Sequence, residues 1–298
     1  MRYISEEQLD YKKHGCIGNY AGNKAKYLRQ LYELLPSQEG LRVYDAFCGF
    51  GVISTSLPDD YVVTANDSCE QLIGIHKWLQ GVHKRIGGTP LEAANFVIAE
   101  TLCKVNDKKD EKGFEEVKQN YNDCGKPQDL YALATSSNSN YIRFNGDGEF
   151  NVKFGNRYLN PQLQTKLKNN LRRQAIRDIK YTNKDFRDYN VKDFDLAILD
   201  SPYSYNGKSS APYSESSGQW QYKDQLDVMA VADDFHKNGK HFIMYNELIT
   251  KDVENTILKV WSDKYRVIVI GESFTNSSAN KKRGKDKQKS IEVLITNL

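Results

Sequence analysis

Two glycines follow a strand-like apolar run in Asp45-Ala46-Phe47-Cys48-Gly49-Phe50-Gly51. Glycines at the carboxyl end of a strand permit a tight turn and close approach of a ligand to the backbone, at the place where open α/β sheets bind nucleotides. The dinucleotide fingerprint G-x-G-x-x-G is not met, because Ser54 stands at its third glycine. The next apolar run ends in Ala65-Asn66-Asp67. The Asp67 carboxylate there either accepts hydrogen bonds from both hydroxyls of a ribose or caps the helix that follows. Upstream, Tyr20-Ala21-Gly22-Asn23-Lys24 precedes a helical pattern. It is either an ordinary helix start or an anion site, with Lys24 reaching a carboxylate or phosphate at the positive end of the helix. The glycine turn and Asp67 together favour a nucleoside ligand.

A third apolar run, Phe194 to Leu199, is closed by Asp200-Ser201-Pro202-Tyr203. This tetrapeptide resembles the D-P-P-Y turn of amino-directed methyltransferases, with Ser201 in place of the first proline. The target of such enzymes is a planar nitrogen, a poor nucleophile. The resemblance implies that the Asp200 carboxylate and the Ser201 main-chain carbonyl accept its two hydrogens, freeing a lone pair to attack a methyl group. Any residue supplies a main-chain carbonyl, so serine preserves that function while removing the stiffness of proline.

Taken in order, Y-x-G-N-K, D-x-F-C-G-x-G, N-D and D-x-P-Y are similar to the Dam-type DNA adenine-N6 methyltransferase family. The stretch Arg143-Phe144-Asn145-Gly146-Asp147-Gly148-Glu149-Phe150-Asn151-Val152-Lys153-Phe154-Gly155 is similar to that family's R-x-N-x-x-G-x-F-N-V-P-x-G, with Lys153 replacing proline, and the terminal Glu292 to Asn297 looks like its last strand. The resemblance runs from Tyr20 to Leu298 and is weakest from His83 to Tyr141. It implies S-adenosylmethionine (SAM) as cofactor, bound by Tyr20, Lys24, Asp45, Phe47, Gly49, Gly51 and Asp67, with Asp185 and Phe186 at its adenine. It also implies that Asp200, Ser201, Pro202 and Tyr203 act on an adenine flipped out of duplex DNA, with Tyr203 stacking on the base. DNA would be met by Arg143, Asn145, Asn151 and Lys153, an arginine reading guanine and lysines meeting phosphate. The recognition sequence G-A-T-C is the family's habit.

The elements that must position these residues follow from periodicity. Strands are expected at Leu41 to Phe47, Tyr61 to Asn66, Asp178 to Thr182, Phe194 to Leu199, His241 to Tyr245, Tyr265 to Ile270 and Ile291 to Thr296. Helices are expected at Lys24 to Leu35, Gln225 to His236 and Val253 to Trp261. This alternation predicts an α/β fold with a mostly parallel sheet. With the resemblance it becomes a Rossmann-like methyltransferase with a mixed sheet and an inserted, mainly helical target-recognition subdomain. The expected division is 1–82 with 172–298 as catalytic domain and 83–171 as the insertion, holding a hairpin at 143–155. Phe96 to Leu102 and Leu130 to Leu133 offer it helical material. The alternative for that polar, Asn- and Lys-rich stretch is a long flexible loop.

Composition bounds the rest. With 298 residues, 39% of them hydrophobic, the chain can bury a sizeable core. No run approaches the roughly 20 apolar residues of a membrane span, and Met1 to Asp10 is not signal-like, so a cytoplasmic protein with no membrane partner is expected. The five cysteines never form a Cys-x-x-Cys pair and the five histidines are scattered, so no metal is expected. A net charge of +3 permits a polyanionic partner without demanding one. Lys281, Lys282, Arg283, Lys285, Lys287 and Lys289 form a basic cluster that is either a solvated loop or, given the resemblance, a grip on the DNA backbone. Ser204 to Trp220 reads as a loop that orders over the extruded base, or as a surface linker. The expected assembly is a monomer, with a dimer on DNA as the alternative, and with no nuclease region in view a solitary enzyme is expected. Rival readings are a protein glutamine methyltransferase, an inactive DNA-binding protein of this fold, and methylation of cytosine N4.

Overall fold

The protein is described here by a computed structural model, which covers residues 15–19, 22–177, 179–205, 208–209, 220–275 and 288–298, with backbone alone for 204, 205, 208, 209, 274 and 275. These residues fall into two compact units, one ending at Phe186 and the other beginning at Arg187.

The first unit begins with a 3-10 turn, Ala25–Tyr27, that leads into α1 (Leu28–Leu34). The single helix expected from Lys24 to Leu35 is thus a 3-10 turn followed by two α turns. β1 (Arg42–Asp45) is followed by α2 (Val52–Ser56), β2 (Val62–Asn66) and α3 (Glu70–Ile86). Four helices then succeed one another: α4 (Pro90–Leu102), α5 (Glu111–Cys124), α6 (Pro127–Ser136) and α7 (Pro161–Ile176). Each start is written in the sequence. Thr89 and Glu92 form a reciprocal capping box on α4, Asp110 caps α5, Asn160 caps α7, and proline opens α4, α6 and α7. β3 (Lys180–Thr182) completes a parallel set in the order β3-β2-β1.

Residues 83–171 are ordered and mainly helical, so the flexible-loop alternative is set aside. Their helices share one apolar core with Leu72, Ile75, Leu79 and Val82 of α3 and with Leu163, Leu167 and Leu171 of α7. Phe114, Tyr121, Phe144, Phe150 and Phe154 make its aromatic centre, with ring centroids 5.3 to 6.5 Å apart.

The second unit opens with β4 (Leu196–Leu199), every residue of which is buried. A two-residue ladder, β5 (Ser204–Tyr205) with β6 (Lys208–Ser209), precedes α8 (Tyr222–Lys237). β7 (His241–Thr250), β8 (Val253–Glu254), α9 (Thr256–Ser262), β9 (Arg266–Thr275) and β10 (Gln288–Thr296) follow. β4 and β7 are parallel, β10 and β9 are added antiparallel in the order β4-β7-β10-β9, and β8 pairs with β7. The sheet is therefore mixed. β7 runs five residues beyond the expected strand because β10 supplies partners as far as Ile291↔Ile249. Where one helix was expected from Val253 to Trp261, Asn255 interrupts: its side chain accepts from the Leu258 amide, so a strand ends and a helix begins there.

Candidate active site

The glycine turn in the first unit is fixed from several sides. Gly49 and Gly51 both have positive φ, 50° and 77°, which glycine adopts without the clash a Cβ brings. Asp67, half-buried just beyond β2, accepts from the Gly49 amide at 3.1 Å through one oxygen and from the Cys69 amide at 3.0 Å through the other. It therefore ties the glycine turn to the turn that leads into α3. Burial raises its carboxyl above the ordinary range, and the two amides pull it back. Asp45 is wholly buried at the end of β1, where the Ser54 hydroxyl donates to it. Lys24 is also buried, and its ammonium donates to the Gly22 carbonyl at 2.6 Å.

Asn66, whose type and place in the sequence do not mark it as a site residue, makes four hydrogen bonds. Its amide nitrogen donates to the carbonyls of Ala46 (3.2 Å) and Lys184 (3.0 Å). Its oxygen accepts from the Thr182 hydroxyl (2.9 Å) and the Lys184 amide (3.1 Å). One side chain thus joins the chain beyond β1, the end of β2 and the chain beyond β3. Along that last segment Asp185 is exposed and Phe186 buried. The Phe186 ring lies 5.1 Å from that of Phe47, and its carbonyl accepts from Tyr44 at 3.3 Å. Phe47, Gly49, Asp67, Asp185 and Phe186 are therefore gathered at the carboxyl ends of β1, β2 and β3. Tyr20 lies outside the described residues.

His76, another residue that sequence reasoning missed, supports the turn from α3. It is fully buried, its Nε2 is 2.8 Å from the Gly49 carbonyl, and its ring stacks on Tyr181 at 4.6 Å. Burial pushes its pKa down to about 4, so the ring is neutral at physiological pH and Nε2 carries the proton that it donates.

In the second unit β4 ends at Leu199, and Asp200 begins the turn directly beyond it. Asp200, Pro202 and Tyr203 are half-buried and Ser201 is buried. The Tyr203 hydroxyl lies 3.5 Å from Glu292 on β10. Most of Ser204 to Trp220, and Lys281, Lys282 and Arg283, lie outside the described residues.

The stretch 143–155 turns back on itself against the helical layer of the first unit. Phe144 bridges Phe150 antiparallel, and the Asn145 amide oxygen accepts from the Asp147 (3.0 Å) and Glu149 (2.9 Å) amides while its nitrogen donates to Glu149. Asn145 thus shapes the tip. Asn151 accepts from Arg143 Nε at 2.9 Å, orienting the guanidinium, and Lys153 is exposed. Among the described residues, no helix is long and apolar enough to cross a membrane and no group of side chains could hold a metal ion.

The family model for D12 class N6 adenine-specific DNA methyltransferases matches residues 20–276. Among characterised proteins, the chain is 29% identical over 294 residues to the Type II methyltransferase M.FokI of Planomicrobium okeanokoites, covering 94% of this chain and 42% of that one. It is 26% identical over 290 residues to the modification methylase StsI of Streptococcus sanguinis, again covering 94% and 42%. To the modification methylase LlaI of Lactococcus lactis subsp. lactis it is 22% identical over 260 residues, covering 86% and 40%. The chain spans about two fifths of the length of these relatives.

Proposed function

The chain belongs to the D12 class of N6 adenine-specific DNA methyltransferases, and on that premise we propose that it transfers a methyl group from SAM to the N6 amine of an adenine in duplex DNA. The observation that carries this reading is the family match over residues 20–276, which takes in both the glycine turn with Asp67 and the turn Asp200 to Tyr203 at a strand's carboxyl end.

The residues of the first unit fit the cofactor. A nucleoside needs acceptors for its ribose hydroxyls, and each oxygen of half-buried Asp67 has lone-pair capacity beyond the one amide it accepts. An adenine needs an apolar wall, which the Phe47 and Phe186 rings provide, and exposed Asp185 can accept from its amine. Lys24 would meet the cofactor's carboxylate, and buried Asp45 would act from beneath the turn through Ser54. Bound there, SAM supplies the methyl group.

On the second unit, the Asp200 carboxylate and the Ser201 carbonyl would accept the two amine hydrogens, turning a delocalised nitrogen into a pyramidal one with an available lone pair. Asp200 would then accept the proton that the nitrogen releases on methylation and pass it on to solvent. Tyr203 would stack on the base, which must leave the duplex to reach this turn. Residues 83–171 would recognise the target, with Arg143 aimed at a base edge and Lys153 at phosphate; 1–82 and 172–298 would carry the chemistry. Lys281, Lys282 and Arg283 would add phosphate contacts, and G-A-T-C is the first sequence to try.

Transfer of labelled methyl from SAM to unmethylated DNA, followed by nucleoside mass spectrometry, tests the proposal. N6-methyladenine that is absent with Asp200→Ala is the expected result. No labelled DNA from a protein that binds SAM would overturn it, and N4-methylcytosine would redirect it.

A further inference from the structure

Three polar side chains of the second unit are buried close to the carboxyl end of β4: one in the turn beyond it, one on α8 and one midway along β7. α8 buries Gln225, Val228, Met229, Ala232 and Phe235, a stripe with helical spacing that faces the sheet, and Gln225 is its one polar member. The helix joins β4 to its parallel neighbour β7 and so runs antiparallel to both, which places its first turn, with Gln225, towards the carboxyl end of β4.

The strands present Ser201 and Asn246 to the same place. Phe242 packs on Trp261, whose indole donates to Asp233 of α8 at 3.1 Å, so the Phe242 face of β7 is the one that α8 and α9 cover. Alternation puts Met244 and Asn246 on that face. The pairs Ala197↔Phe242 and Leu199↔Met244 put Ala197 and Leu199 there too, and buried Ser201 follows two residues on in the turn beyond β4.

Ser201, Gln225 and Asn246 are 3%, 3% and 1% exposed. Among the described residues, the Ser201 hydroxyl, both polar atoms of the Gln225 amide and the Asn246 amide nitrogen find no hydrogen-bond partner, while the Asn246 oxygen accepts from the Glu247 amide at 2.9 Å. Buried polar atoms of this kind are costly when unmet, and a cluster of donors and acceptors is the environment that holds an ordered water.

We propose that Ser201, Gln225 and Asn246 form a polar bracket behind the catalytic turn, closed through an ordered water, which holds the Ser201 carbonyl in place where related turns rely on proline. The inference rests on the reading of Asp200 to Tyr203 as the turn that binds the target amine. Gln225 and Asn246 are positioning residues in it: they touch neither cofactor nor base.

The test is steady-state methylation by Gln225→Met, Ser201→Pro and the double variant. Gln225→Met lowers kcat about tenfold, the worth of one hydrogen bond to a buried group, and leaves KM for SAM and DNA within about twofold. Adding Ser201→Pro restores kcat, because proline supplies the stiffness independently. An unchanged kcat in Gln225→Met, or a deficit that persists beside Ser201→Pro, overturns the bracket. A second cycle, Ser201→Ala with Gln225→Met, is read in the free energy of unfolding and needs no activity: the two losses are less than additive if the side chains share a water, and additive losses overturn the proposal. A wild-type protein that shows this coupling yet methylates no DNA removes the functional reading and leaves the bracket as structure alone.

Discussion

His76 donates from Nε2 to the carbonyl of Gly49, 2.8 Å away, from a position entirely closed to solvent. The glycine turn is thus held from behind by an imidazole that must stay neutral. Its pKa is about 4 when folded against an ordinary value of 6.5, so between those values the unfolded chain binds the proton and the folded chain does not. Stability is retained above pH 6.5 and falls as pH drops towards 4, by about 3 kcal/mol for this one group. Urea denaturation between pH 4.5 and 7.5 should show that slope, reduced in His76→Phe; an identical slope in both proteins would assign the acid sensitivity elsewhere.

Gly51 meets the same ring. A Cβ there would lie 3.0 Å from His76 Cε1, on a backbone of φ 77°. Gly51→Ala should lower stability by about 1 to 3 kcal/mol, and SAM affinity with it. Calorimetric titration and a melting curve check both, and a variant that melts and binds like the wild type would show that the turn yields freely.

Asn66 should matter more to the cofactor than its distance from any reacting atom implies. Asn66→Asp keeps its size but cannot donate to the Ala46 and Lys184 carbonyls, and sets an anion against them. About tenfold or greater weakening of SAM binding is expected, from a loss of about 1 to 3 kcal/mol. Binding within twofold of wild type would mean that the segment around Asp185 and Phe186 is held by other contacts.

DNA affinity should divide the hairpin residues by role. Lys153→Gln should weaken binding alike on all sequences and reduce the slope of log affinity against log salt by about 1, whereas Arg143→Ala should cost about 1 to 3 kcal/mol and relax preference at one base. Competition binding over a salt series separates these outcomes, and an unchanged slope in Lys153→Gln would detach this face from the phosphates.

Much of this was legible in the residues themselves. β1, β2 and β4 are apolar runs that end in Asp45, Asn66 and Leu199, and a run ending in a turn residue shows where a strand stops and a ligand can sit. What pattern could not show was partnership at long range. Asn66 finds its partners at Ala46, Thr182 and Lys184, the last two more than a hundred residues away in sequence, and no local signal separates such an asparagine from a helix cap. The sequence pattern starts a helix at Gln225, where polarity is ordinary, and only the helix start at Tyr222 puts it inside the buried stripe. Asn255 was absorbed into a helical pattern because its apolar neighbours have the right spacing, although its capping chemistry marks a boundary.

The hairpin at 143–155 carries one consequence beyond its contacts. Asn145 closes the tip upon itself, Asn122 receives the Phe150 amide at 2.8 Å, and Asn151 steadies Arg143. A projection so tied has given up its conformational freedom during folding, so engaging a partner need not freeze it again. On the proposed reading it would meet DNA as a template rather than as a tether, accepting or rejecting by shape at first touch, with correspondingly little time spent on a wrong sequence.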